Sequence, residues 1–102
     1  MDSTQSKIVE LATEKGYNEL NHLWFDNNIL NPLDWFLECC KLQKWLRETY
    51  NTDVIPLFIN HNNYGISIFK NNIEVFFIKI TMNWSYEESL EVGLQEALKL
   101  IK

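Results

Sequence analysis

Cys39 and Cys40 carry the most reactive groups in the sequence, and they stand side by side. Neighbours on a helix project about 100° apart, so the two thiols neither bridge readily nor chelate one metal together. No glycine-rich elbow surrounds them to lower a thiol pKa, and both read as small residues of an apolar helix. There are two histidines, His22 and His61. His61 falls in the turn "NHNNYG" with no carboxylate–serine pattern near it, so it reads as solvent-facing and not as a catalytic base. Metal ligation would ask for spacings such as C-x-x-C or H-E-x-x-H, and neither occurs. The three glycines are isolated, which rules out a phosphate-binding loop. No catalytic residue, cofactor or metal is therefore expected, and the chain reads as a non-enzyme.

Acidic residues gather in "SYEESLEVGLQEALKLIK", Ser85 to Lys102. Glu87, Glu88 and Glu91 could serve as paired catalytic carboxylates, but a well-made helix explains them more simply. Ser85 and Glu88 stand at capping-box spacing. The three acids lie near the positive end of the helix dipole, with Lys99 and Lys102 near the negative end. Tyr86, Leu90, Leu94, Ala97, Leu98 and Ile101 line one face at helical spacing. Gly93 flanks that stripe and costs ~1 kcal/mol of helix propensity, so close approach to a sheet is its expected reason.

The same segment resembles a phrase that ends small uncharacterised proteins of phages and of Bacteroides-type genomes and their mobile elements. There a Tyr-Glu-Glu-Ala-Leu-Glu-like start leads to Gly-Leu and then Glu-Ala-Leu-Lys-Leu-Ile. Upstream, "KWLRETYNTDVIPLF" is similar to their Trp-Leu-Arg-Glu helix end running into a first strand. The resemblance spans about Trp45 to Ile101. Ser89 stands where Ala is more usual, at a position expected to be exposed. The resemblance implies a phage α-β-α sandwich domain and a gene of phage or mobile-element type, and it brings no catalytic motif.

Length and pattern define the elements that must position these residues. A chain of 102 residues makes one domain, 1–102, with one modest core. Residues 1–50 read as helical, 54–80 as strands and 86–101 as a C-terminal helix. A first helix is expected from about Thr4 to Lys15, stopped by Gly16. A second stretch, Asn18 to about Asp26, places Leu20, Leu23 and Trp24 on one side. The third helix starts at "NPLD", where Asn31 can cap, Pro32 suits the first turn and Asp34 favours the dipole, and it runs to about Tyr50. Trp35, Cys39, Leu42, Leu46 and Tyr50 form its apolar arc, widened by Leu33, Phe36, Leu37 and Cys40. Burial on more than one side is therefore expected.

"VIPLFIN", "YGISIFK" and "IEVFFIKI" read as strands, with Asn71-Asn72 turning a hairpin and Pro56 placing the first strand at an edge. Pairing across that turn sets Ile68 beside Val75 and Ile66 beside Phe77. Phe69, Phe76, Ile78 and Ile80 then fall on the other face. The fold class is α+β: N-terminal helices, a three-stranded antiparallel meander and a C-terminal helix, with helices covering the sheet. Both sheet faces are apolar, so helices are expected on both; if only one is covered, the other should pair with a second chain.

Charge narrows the partners. A net charge of −5 lacks the basic footprint of nucleic-acid binding, so a basic protein surface suits the chain better. No apolar run approaches the ~20 residues of a membrane span, and "MDSTQSKIVE" shows no leader pattern. The expectation is a protein of the host-cell cytoplasm, monomer or homodimer, with no membrane contact and a host or phage protein as partner. Trp45 lies on the polar side of the third helix with Glu38, Lys41 and Glu48. It is either an interface anchor or a ring covered by a loop or the N-terminal helices. Together with His61 and Tyr64 in the strand turn, these residues make the candidate interface. Trp24, Phe25 and Trp84 could add an aromatic surface. Two functions follow: a binding protein inhibiting a host defence system by protein contact, as anti-CRISPR proteins do, or a sequestering protein for a small molecule or nucleotide near His61, Tyr64 and Lys79.

Overall fold

Asn31 opens the longest helix by accepting a hydrogen bond from the Asp34 amide at 2.8 Å, with Pro32 in the first turn. Asn51 ends it in the left-handed region at φ 51°, sending its N–H back to the Leu46 carbonyl. The computed structural model describes residues 3–20, 31–61, 63–78 and 83–101. The elements in chain order are α1 (Ser3–Glu14), α2 (Pro32–Tyr50), β1 (Thr52–Asn60), β2 (Asn63–Lys70), β3 (Ile73–Ile78) and α3 (Tyr86–Leu100). Gly16 stops α1 at φ 100°, a conformation that costs glycine little. The expected helix beginning at Asn18 does not start there: Asn18 is irregular, Glu19 and Leu20 lie in a turn, and the rest of that stretch is outside the described residues.

The strands form an antiparallel meander in the order β1-β2-β3, as the pattern implied. Pro56 lies on the edge strand β1, and Asn71 and Asn72 take φ 54° and 67° in the tight turn between β2 and β3. The hairpin register differs from the expected one. Ile68 faces Phe76 and Ile66 faces Ile78, because a bulge between Ile68 and Phe69 inserts one residue, Val75, into β3. One extra residue flips every following side chain. Phe76 and Ile78 therefore join Ile66 and Ile68 on one face, and Phe77 joins Ser67 on the other.

On one face Val54, Ile66 and Ile68 are fully buried. α3 lies on it, and Gly93 lets the helix approach until a Cβ would stand 2.5 Å from Ile66 Cδ1 and 2.6 Å from Val54 Cγ1. α1 packs against α3, while α2 packs against β1 and α3. Leu42, Leu46, Leu90, Leu94, Ala97 and Leu98 complete a single core with Ile8, Val9 and Ala12. Helices on both sheet faces were expected, but among the described residues α3 sits on one. The opposite face keeps Ile55 and Phe77 exposed. Its middle is closed by its own small residues: Ser67 donates to the Glu74 carboxylate, and Gly65 lies under Ile59.

Ser85 caps α3 with both halves of a capping box: Glu88 N donates to Ser85 Oγ and Ser85 N to Glu88 Oε1, each at 3.1 Å. Ser85→Ala should lower stability by ~1 kcal/mol, read as a lower urea midpoint with an unchanged slope. Ser89 is buried rather than exposed, its hydroxyl donating to the Tyr86 carbonyl at 2.8 Å.

Candidate functional site

The residues singled out by sequence fall into two groups at separate places. Trp45, Lys41, Glu38 and Glu48 lie on the outer side of α2. His61 is exposed in the β1–β2 turn, and Tyr64 is the second residue of β2. Lys79, His22, Trp24 and Phe25 lie outside the described residues.

Trp45 is half-buried. Tyr17 stands 5.0 Å from its ring and Tyr50 5.3 Å, centroid to centroid. The Tyr50 hydroxyl donates to the Lys15 carbonyl at 2.9 Å, which ties the end of α1 to α2 beside the indole. The Tyr17 hydroxyl donates to Glu19 at 3.1 Å. The segment after α1 thus shields Trp45, which lines a recess of about 270 Å³ with Tyr17, Glu19, Lys41, Lys44 and Glu48. A second, open hollow of about 570 Å³ is lined by Asp34, Leu37, Glu38, Cys40, Lys41 and Lys44. Lys41 and Lys44 border both. Lys41 pairs with Glu38 at 3.3 Å, an exposed ion pair of small energetic value.

Sequence reasoning misplaced the leucines of this face. Leu33 and Leu37 were expected to widen the buried arc of α2, yet they are 66% and 49% exposed. The buried stripe is narrower: Trp35, Cys39, Leu42 and Leu46. Leu33, Leu37, Cys40 and Lys44 follow one another at i, i+4, i+7 and i+11, a second ridge of the same helix. That spacing was readable, but composition alone does not tell which of two apolar ridges meets the sheet.

At the other end, Tyr64 stacks edge-on with Phe58 at 5.8 Å and with Tyr86 at 5.6 Å, and Phe36 continues the row at 6.0 Å from Tyr86. Tyr64 pairs through its main chain with Trp84, which is half-buried at that sheet end. A recess of about 400 Å³ here is lined by Tyr64, Asn83, Ser85, Tyr86, Glu87 and Glu88. Two carboxylates and no cation among these residues make it a poor seat for phosphate.

Cys39 lies between α1, α2 and α3, near Glu91, whose carboxylate accepts from Trp35 Nε1 at 3.0 Å. Burial, with the Glu91 charge behind it, pushes the Cys39 thiol far above its ordinary range, and burial raises Cys40 as well. A raised thiol pKa favours the folded state below the unfolded value of ~8.5, and that contribution is lost as pH climbs above it. Stability should therefore fall from about pH 8.5 upward, and Cys39→Ala should flatten this decline while lowering stability at pH 7; chemical denaturation across that range checks both. Among the described residues no group of three or more His, Cys, Asp or Glu could hold a metal ion. No helix among them is long and apolar enough to cross a membrane. No family model, curated protein or solved structure matches this chain.

Proposed function

We propose that the chain is a non-enzymatic binding protein that acts by protein–protein contact through the outer face of α2. The observation that carries this reading is the ridge of exposed Leu33 and Leu37 with half-buried Cys40, beside Lys41 and Lys44 and rimmed by Asp34, Glu38 and Glu48. An apolar ridge with a charged rim has the anatomy of a protein interface, with aromatic support from Trp45 behind it. The phage or mobile-element resemblance of the Trp45–Ile101 segment supports a host defence protein as the target class. The small-molecule alternative is less favoured, because the recess beside Tyr64 is acidic and shallow.

The test is affinity capture from host cells with the native chain and with Leu33→Glu/Leu37→Glu. Both positions are exposed, so the variant should keep its melting temperature. A partner held by the native chain and weakened at least tenfold in the variant, about 1.4 kcal/mol, is the expected result. Equal retention by both proteins would contradict it.

A further inference from the structure

We infer that two copies of this chain associate through the outer ridge of α2, the two helices running antiparallel about a two-fold axis. Leu33, Leu37, Cys40 and Lys44 follow one another at intervals of four, three and four residues, the rhythm of a coiled-coil seam. They lie across the helix from the buried stripe of Trp35, Cys39, Leu42 and Leu46. Leu33 and Leu37 are exposed and Cys40 is half-buried. Along one flank of the seam Asp34, Lys41 and Glu48 recur every seven residues, with alternating sign.

These charges select both the occupant and its direction. With the axis level with the Glu38–Cys39 peptide, Leu37 of each copy meets Cys40 of the other, and Leu33 meets the stem of Lys44. The same register brings Asp34 of each copy to Lys41 of the other, so one axis forms that ion pair twice. A parallel pair would instead level Asp34 with Asp34 and Lys41 with Lys41, like against like. The outer face of α2 is thus complementary to itself reversed. Lys41 now pairs with Glu38 of its own helix at 3.3 Å, an exposed contact that it can leave at little cost. Glu48 falls past the end of the other copy's α2, and the net −5 of each copy opposes the union. A seam of about three turns makes a small interface, so the dimer should be weak, on the order of 10–100 µM. One consequence rests on the reading of this face as the partner-binding one: the dimer is then its closed form, and a target must displace the second copy.

Sedimentation equilibrium of the purified chain over a concentration series tests the dimer without any host component. The native chain should pass from monomer to dimer mass between micromolar and millimolar concentration. Asp34→Lys and Lys41→Asp each set like charges across the axis, and each should raise the dissociation constant at least tenfold. An equimolar mixture of these two variants restores both opposite-charge pairs and should regain native affinity, a rescue that a damaged helix cannot imitate. Should Asp34→Lys lower the helical circular dichroism signal, Leu37→Glu, on the exposed ridge, decides by staying monomeric. A native chain that is monomeric to millimolar concentration overturns the dimer and leaves the partner reading untouched. A dimer indifferent to these variants, or a mixture as weak as its components, overturns it too.

Discussion

Gly93→Ala is expected to destabilise the protein by ~1–3 kcal/mol, although alanine is the better helix former by ~1 kcal/mol. Propensity and packing predict opposite signs here, which makes the substitution decisive. The added methyl would meet Ile66 Cγ1, Ile66 Cδ1 and Val54 Cγ1, all at 2.5–2.6 Å. Only Cδ1 is the far end of a flexible side chain. The other two belong to branched residues on a sheet, where χ1 has little freedom. α3 must lift or the strands must shift, and the whole α3–sheet contact loosens. Urea denaturation of both proteins measures the difference. A stabilised Gly93→Ala would mean that α3 does not lie against Val54 and Ile66.

Leu94→Ala should cost more, ~2–5 kcal/mol, against well under 1 kcal/mol for Leu100→Ala. Leu94 is completely buried in α3, the one helix that touches α1, α2, β1 and β2 together. Its removal leaves a cavity in the single core, among side chains that are themselves fully buried. Leu100, in the last turn of the same helix, is exposed. For a domain whose total stability is ~5–15 kcal/mol, the first loss is a large fraction and the second is not. Thermal denaturation of the pair, with native-like circular dichroism confirmed, gives the ordering.

Much of this arrangement was readable because single residues dictate it. Asn31, Pro32 and Asp34 mark the start of α2, Ser85 and Glu88 that of α3, and each does so by a local hydrogen bond or a fixed dihedral. Gly93 was readable as a close approach because a mid-helix glycine costs stability unless it lets something in. Pro56 located an edge for the same kind of reason. What was not readable depended on choices between near-equal alternatives. Neither face of "IEVFFIKI" is polar, so alternation could not pin the register, and the bulge at Val75 passed unseen. The same two-sided hydrophobicity suggested helices above and below the sheet, whereas α3 covers one side. In α2 the ridge of Leu33 and Leu37 and the ridge of Trp35, Cys39, Leu42 and Leu46 are both apolar. Contact with β1 and α3 decides which is buried, and that contact is long-range. The candidate interface was legible in its charged rim and not in its leucines, for this reason.

The central physical claim is that α3 packs on one face of the β-sheet, over Val54, Ile66 and Ile68, while among the described residues Ile55 and Phe77 on the other face stay exposed. Methyl-resolved NMR with a soluble paramagnetic probe measures this directly. The Ile55 methyls should be strongly broadened, while those of Val54, Ile66 and Ile68 keep their intensity. Equal protection of Ile55 and Ile66 would contradict the claim, because it would place a layer over both faces.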